Sequence, residues 1–200
     1  MLLQRLEEHL DGGGGSRRAP NQFGFRKGIS TETAVEKVLS IARRAAAETG
    51  PKDLCVLVTL DVKNAFNSLR WPVNDQALRS KGTPEYLVKM LRSWLSDRSL
   101  LVGDDRTSRT VTCGVPQGSV LGPTLWNTAY DDLLNLNVPQ GVQLVGFADD
   151  LAVVGRARTG PQLEDLMNPV LEAIDFWMRG RGLELAHHKI EAVMLTRRWS

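Results

Sequence analysis

Apolar and polar positions follow two different periods along this chain, and the switches between them mark out its elements. Leu2, Leu3, Leu6 and Leu10 fit one face of a short helix, which Asp11 and the run Gly12 to Gly15 break. From Thr31 the positions Val35, Val38, Leu39 and Ala42 predict one face of a second helix, which Ser30 or Thr31 can cap and Gly50-Pro51 ends. Leu54 to Leu60, LCVLVTL, is continuously apolar and rich in β-formers, so it predicts a buried strand that stops at Asp61. A helical region follows, broken near Trp71-Pro72 and Gly82, with Leu87, Met90, Leu91, Trp94 and Leu95 at helical spacing in its second half. Leu100 to Val102 and Arg109 to Cys113 predict a small hairpin around Gly103-Asp104-Asp105. Gly114 to Gly122 is a glycine-bearing turn entering a helix from Pro123 to about Leu136. Two short apolar runs, Val142 to Gly146 and Leu151 to Val154, flank the turn Phe147-Ala148-Asp149-Asp150. Leu163, Leu166, Met167, Val170, Leu171, Ile174 and Met178 mark a long amphipathic helix, and Ile190 to Leu195 reads as a last strand.

With the small hairpin and its neighbours set aside, the order from residue 54 is strand, helix, strand, strand, helix, strand. This is the split β-α-β pattern of an α+β, ferredoxin-like sheet. Right-handed crossovers place the first and second strands parallel, with the third between them and antiparallel to both. Asp61, at the end of the first strand, then meets the turn carrying Asp149 and Asp150 at one sheet edge. Two carboxylates side by side on a tight turn repel each other and are at ease in front of a cation. Three carboxylates on strand ends suit two divalent ions about 3.5–4 Å apart, and hard oxygen ligands favour Mg²⁺ or Mn²⁺ over zinc. Taken singly, Asp61 also reads as a helix cap and Asp149-Asp150 as a plain hairpin turn; convergence is what favours the metal. Asp104-Asp105 reads as a solvated turn, and Asp131-Asp132, on a predicted helix, as surface or inter-element contacts.

Composition changes this picture little. In 200 residues, 42% are hydrophobic and 24% charged, as in ordinary globular proteins, so length and composition suit one domain, or one and a part. The formal net charge of +2 does not announce nucleic-acid binding, and the basic pairs at Arg17-Arg18, Arg26-Lys27, Arg43-Arg44 and Arg197-Arg198 read singly as solvated surface. Cys55 and Cys113 are far apart, and His9, His187 and His188 form no zinc motif, which fits a reducing intracellular compartment. No apolar run approaches the roughly 20 residues that span a bilayer, and MLLQRLEEHL carries charges too early for a secretory signal.

Five segments, NQFGFRKGIST, LVTLDVKNAFNSL, GVPQGSVLGPTLWN, VGFADDLAVV and GLELAHHKIEAVMLT, occur in the order seen in reverse transcriptases. Their wording and spacing resemble most those of non-LTR retrotransposons, particularly arthropod elements that insert at specific genomic repeats. The resemblance implies a polymerase palm with partial fingers helices. Residues 1–50 would be partial fingers and 51–200 the palm, with a fingers-side insertion near 72–140. It implies that Asp61 and Asp149 hold the metals together with the carbonyl of Val62, with Asp150 as the companion acid. Phe66 matches the aromatic gate that excludes a ribose 2′-OH. Gln117 and Gly118 match the lining of the nucleotide pocket, and Lys189 the acid that protonates pyrophosphate. The run His187-His188-Lys189-Ile190 departs from the family's usual Pro-Glu-Lys-Thr-like wording here. Gln22, Phe23, Gly24, Phe25 and Arg26 match a fingers segment that helps position template and nucleotide; Arg26 pairs with phosphate or lies beneath the loop as a structural arginine.

The implied reaction is attack of a primer 3′-OH on a dNTP, directed by an RNA template, with nicked target DNA as one source of primer. Two Mg²⁺ or Mn²⁺ ions would assist, and a nuclear location is expected. An earlier fingers segment, a primer-grip hairpin, a thumb, an endonuclease and a zinc knuckle have no counterpart in the sequence. A truncated product, a decayed copy or a fragment is therefore expected. Two alternatives accompany this reading. An RNA-templated RNA polymerase is disfavoured by Ala148, where such enzymes often carry glycine, and by Phe66. A catalytically inactive palm remnant that binds nucleic acid or a partner is the other.

Overall fold

The computed structural model describes residues 1–12, 18–47, 53–104 and 106–195. Among them the order is α1 (Leu2–Asp11), α2 (Thr31–Ala47), β1 (Leu54–Leu60), α3 (Ala65–Ser68), α4 (Trp71–Ser80), α5 (Glu85–Leu95), β2 (Ser99–Val102), β3 (Thr107–Thr110), α6 (Gly122–Leu134), β4 (Val142–Phe147), β5 (Asp150–Ala157), α7 (Gly160–Gly180), a 3₁₀ turn (His187–Lys189) and β6 (Glu191–Met194). The chain divides into two compact units, Met1–Arg18 with Asn64–Asp132, and Ala19–Lys63 with Leu133–Ser200. The expected ends near Gly13–Gly15 and Gly50-Pro51 lie outside the described residues. No helix of the described residues is long and apolar enough to cross a membrane.

The second unit carries a four-stranded sheet in the order β4-β5-β1-β6, with every neighbouring pair antiparallel. Strands β4 and β1 are therefore parallel, with β5 between them, and the α+β split β-α-β arrangement expected from the element order is present. The continuous apolar run of β1 is explained by its central place, paired on one side from Leu54↔Ala157 to Leu60↔Leu151 and on the other with β6. Helix α2 begins as its cap predicts, with the Ser30 hydroxyl accepting from Thr33 N at 3.4 Å. Its buried face is rotated from the expected one. Ala34, Ile41, Ala42 and Ala45 pack with Cys55, Val145 and Val154, while Val35 is 52% and Leu39 38% exposed. Small side chains let a helix approach a sheet closely, so the alanines are buried and the larger residues border a cleft. Helix α7 runs as predicted, burying Leu163, Met167, Val170, Ile174 and Met178.

The first unit is helical apart from the β2–β3 hairpin, and its core joins Leu6, Leu10, Leu78, Val88, Leu91, Leu95, Val115 and Leu125. The helical region is broken near Trp71-Pro72 as expected: α3 ends at Ser68, and Trp71-Pro72 starts α4, where a missing N–H in the first turn costs nothing. The hairpin pairs Val102 with Thr107, so its second strand lies earlier than expected, because Gly103 and Arg106 both take positive φ in a tight turn. Of the two readings of Asp131, the inter-element contact is the one present: Asp131 is buried on α6, and Lys81 Nζ, at the end of α4, donates to its Oδ2 at 2.7 Å.

Helices α4 and α5 are joined by Asp75, which accepts from Arg92 Nη2 at 2.7 Å and from Arg79 Nε at 3.0 Å. The hydrogen bond from Arg92, then those of Arg79 and both positive charges, hold the Asp75 carboxyl below its usual range against the opposing effect of burial. A depressed folded value contributes stability that is present above the unfolded value and lost as pH falls through the folded one. Asp75→Asn is expected to lower the melting temperature at neutral pH and to flatten its fall on the acid side, below about pH 4, measured as Tm against pH.

Candidate active site

Local bonding in the second unit builds an acidic edge. β4 and β5 pair as far as Phe147↔Asp150, leaving Ala148 and Asp149 as a two-residue loop. Ala148 takes φ 57°, a left-handed conformation that L-residues with a β-carbon adopt at a cost. β1 and β5 pair as far as Leu60↔Leu151, so Asp61 and Asp150 are the next residues on neighbouring strands. Asp61 to Lys63 are then secured by the segment before the 3₁₀ turn. Ala186 N donates to Asp61 O and Lys63 N to Glu184 O, each at 2.8 Å, and Val62 bridges Leu185. Val62 itself is buried. The same segment presents Lys189, whose ammonium donates to Asp61 Oδ2 at 2.5 Å.

The electrostatics follow from this crowding. Asp150 remains partly in solvent, yet its carboxyl is pushed up, first by the protein packed around it, then by the charges of Asp149 and Asp61, with Lys189 pulling the other way. Lys189 is raised, chiefly by its hydrogen bond to Asp61, then by the charges of Asp61, Asp150 and Asp149. A cation is thus already favoured at this edge, and the ammonium of Lys189 stands where positive charge is wanted. The donor set, carboxylate oxygens on strand ends, fits a hard divalent ion. Among the described residues no group of three or more His, Cys, Asp or Glu side chains is arranged to hold a metal ion as it stands. Asp61 is engaged by Lys189, and the like charges of the turn have no reason to close on one another. Asp61, Asp150 and Lys189 border a largely apolar cleft of about 610 Å³ between the sheet and α2, which Val35 and Leu39 also line.

The segment preceding α2 lies against the same turn. Phe23 N donates to Gly146 O at 2.7 Å and Gly146 N to Asn21 O at 2.8 Å, which adds a short parallel bridge to the open edge of β4. Asn21 Nδ2 donates to Leu144 O at 2.9 Å. Arg26 is used beneath this loop, its Nη1 donating to Ala19 O and Gln22 O, each at 3.2 Å. The involvement of Gln22 and Gly24 with the turn was not legible in the sequence; the one signal was a glycine set between two aromatics.

The remaining expected residues belong to the first unit. Phe66 stacks on Trp126 with ring centroids 5.3 Å apart, and Trp126 on Tyr130 at 5.1 Å. The spacing of Trp126 and Tyr130 on α6 was the overlooked clue to this aromatic stack. Gln117 and Gly118 lie exposed in the loop before α6. Gly118 has φ 78° and a β-carbon there would meet nothing within 4 Å, so backbone conformation, not crowding within the chain, calls for glycine.

The fold is similar to that of a telomerase from Candida albicans, solved in complex with a fragment of telomeric RNA. The TM-score is 0.69 at 14% identity, over 99% of this chain and 34% of that one. Residues 1–199 match the family model for reverse transcriptase (RNA-dependent DNA polymerase), and the chain belongs to that family. It is 30% identical over 164 residues to the RNA-directed DNA polymerase from mobile element jockey of Drosophila funebris, covering 78% of this chain and 18% of that protein. It is 29% identical over 181 residues to the probable RNA-directed DNA polymerase from transposon X-element of Drosophila melanogaster, covering 88% of this chain and 20% of that protein. The chain thus spans about a fifth of these relatives' length.

Proposed function

We propose that this chain carries the polymerising centre of a retrotransposon reverse transcriptase, adding dNTPs to a primer 3′-OH on an RNA template during retrotransposition. The observation that carries this reading is the meeting of Asp61, at the end of β1, with the Ala148–Asp149 turn, with a cation, the Lys189 ammonium, already drawn to Asp61. Asp61 and Asp149, with the Val62 carbonyl, would hold two Mg²⁺ or Mn²⁺ ions, and Asp150 would add negative charge beside them. Bound there, such ions lower the pKa of the attacking hydroxyl and neutralise charge on the phosphates. Lys189 is mostly in solvent, so its ammonium can leave Asp61 and hold a proton for the pyrophosphate oxygen.

Phe66 would select deoxynucleotides by occupying the space a ribose 2′-OH requires, its ring braced by Trp126. Gln117 and Gly118 would line the nucleotide, and Arg26, while securing its own loop, would offer charge to phosphate. Residues 1–50 correspond to fingers and 51–200 to palm in this reading. The partners are an RNA template and a DNA primer, which nicked target DNA can supply; the telomeric RNA bound by the Candida albicans neighbour supports nucleic acid as the ligand class. Nuclear action follows from insertion into a genome.

The test is primer extension on an RNA template with the purified chain, comparing dNTPs with rNTPs and Mg²⁺ with excess chelator. Extension by dNTPs that the chelator abolishes is the expected result. Extension with rNTPs at equal efficiency would move the assignment to an RNA polymerase. Duplex binding without extension under any condition would replace it with an inactive remnant.

A further inference from the structure

A two-residue hairpin loop leaves the backbone polar groups of its residues outside the strand ladder, and an unpaired N–H or C=O is costly where water is scarce. At the acidic turn the residue in question is Ala148, which also takes the left-handed φ of 57°. Both of its backbone groups are taken up by one side chain. Gln22 Nε2 donates to Ala148 O at 3.2 Å, and Gln22 Oε1 accepts from Ala148 N at 3.1 Å. The same oxygen accepts from Gly24 N at 2.9 Å, which fixes the amide in its own loop. Gln22 is 2% exposed and is anchored to β4 by the flanking bonds between Phe23, Gly146 and Asn21.

We propose that Gln22 is a positioning residue of the polymerising centre: its carboxamide clamps Ala148 in the left-handed conformation and so aims the Asp149 carboxylate. This rests on the reading of Asp149 as a metal-holding carboxylate. A primary amide is the side-chain group that offers a donor and an acceptor together at this reach, so the position calls for glutamine rather than for polarity in general. The clamp also explains how a residue with a β-carbon stays at positive φ, since such conformations persist where the surroundings over-determine them. Burial removes Gln22 from template and nucleotide alike; its effect on them passes through the turn.

The test compares the chain with Gln22→Met, which keeps the length and loses the amide's three hydrogen bonds, two to Ala148 and one to Gly24, and with Leu163→Ala, a buried change on α7 that lowers stability without touching the turn. Amide hydrogen exchange at Ala148 is read without metal, Mn²⁺ affinity by paramagnetic titration, and RNA–DNA duplex affinity separately. The expected result for Gln22→Met is exchange at Ala148 faster by tenfold or more and Mn²⁺ affinity weaker by about tenfold, the size of effect seen when a partner orienting a metal ligand is lost. Duplex affinity is expected to stay within twofold. Leu163→Ala, compared at equal fractional stability, is expected to leave Ala148 exchange and Mn²⁺ affinity as in the parent. Equal losses in both variants would overturn the proposal, because general destabilisation would then account for them. Unchanged exchange at Ala148 in Gln22→Met would overturn it outright. Absence of Mn²⁺ binding in the parent chain would instead count against the polymerase reading, and the exchange data would still decide whether the clamp exists.

Discussion

Replacing Asp149 by alanine is expected to reduce primer extension at least about a thousand-fold while the chain stays folded. The large effect comes from place. Asp149 is the second residue of the loop between β4 and β5, next to the clamped Ala148 and across from the strand end that carries Asp61. Its value to the reaction lies in the charge it brings to this edge, where it already acts on Asp150. Loss of a metal-holding carboxylate removes several kcal/mol of transition-state stabilisation, and ~4 kcal/mol corresponds to about a thousand-fold in rate. Stability is expected to change far less, by about 1 kcal/mol or under, because Asp149 lies on a loop outside the strand ladder and one of two like charges on the turn is removed. Single-turnover extension together with the melting temperature separates the two effects. Residual activity within tenfold of the parent would show that the metal is held elsewhere.

Much of this edge is legible in the sequence alone. β1 announced itself because an interior strand, paired on both sides, favours a run of apolar β-formers, and LCVLVTL is one. The strand order followed from the element order and crossover handedness, and it brought Asp61 to the Asp149 turn across nearly ninety positions of sequence. What the sequence pattern hid was of two kinds. The buried face of α2 was misplaced because hydrophobicity ranks Val35 and Leu39 above Ala34 and Ala45, whereas close helix-on-sheet approach rewards the smaller side chains. The polar pairings were hidden because they are long-range and have no period. Lys81 with Asp131, Gln22 with Ala148, and Lys189 with Asp61 each join positions that no local spacing relates. Phe66 is intermediate: its aromatic character matched the family motif, but its support by Trp126 depended on the path of α6.

Gly24→Ala tests how tightly the loop before α2 is seated on the acidic turn, and it is expected to cost about 3 kcal/mol of stability and most of the activity. A β-carbon at this position would lie 2.0 Å from Ala148 N, 2.7 Å from Ala148 Cα and 2.9 Å from the Phe147 carbonyl carbon. All three are backbone atoms, so no rotamer change can relieve the collision. Either the turn tilts, or residues 21–25 lift from β4 and give up the Phe23–Gly146 and Gly146–Asn21 bonds along with the Gln22 contacts. Overpacking costs 1–3 kcal/mol and each lost hydrogen bond about 1 kcal/mol, and the cheaper route sets the total near ~3 kcal/mol. For a chain of this size that lowers the melting temperature by roughly 6–12 °C. Activity is expected to fall further than stability does, because a displacement of about 1 Å at a catalytic group can cost about a hundred-fold and Asp149 follows the displaced Ala148 directly. Urea unfolding gives the first quantity, and extension rates corrected for the folded fraction give the second. Parental values of both would mean that the loop does not rest on the turn at all, and the clamp at Gln22 would fall with it.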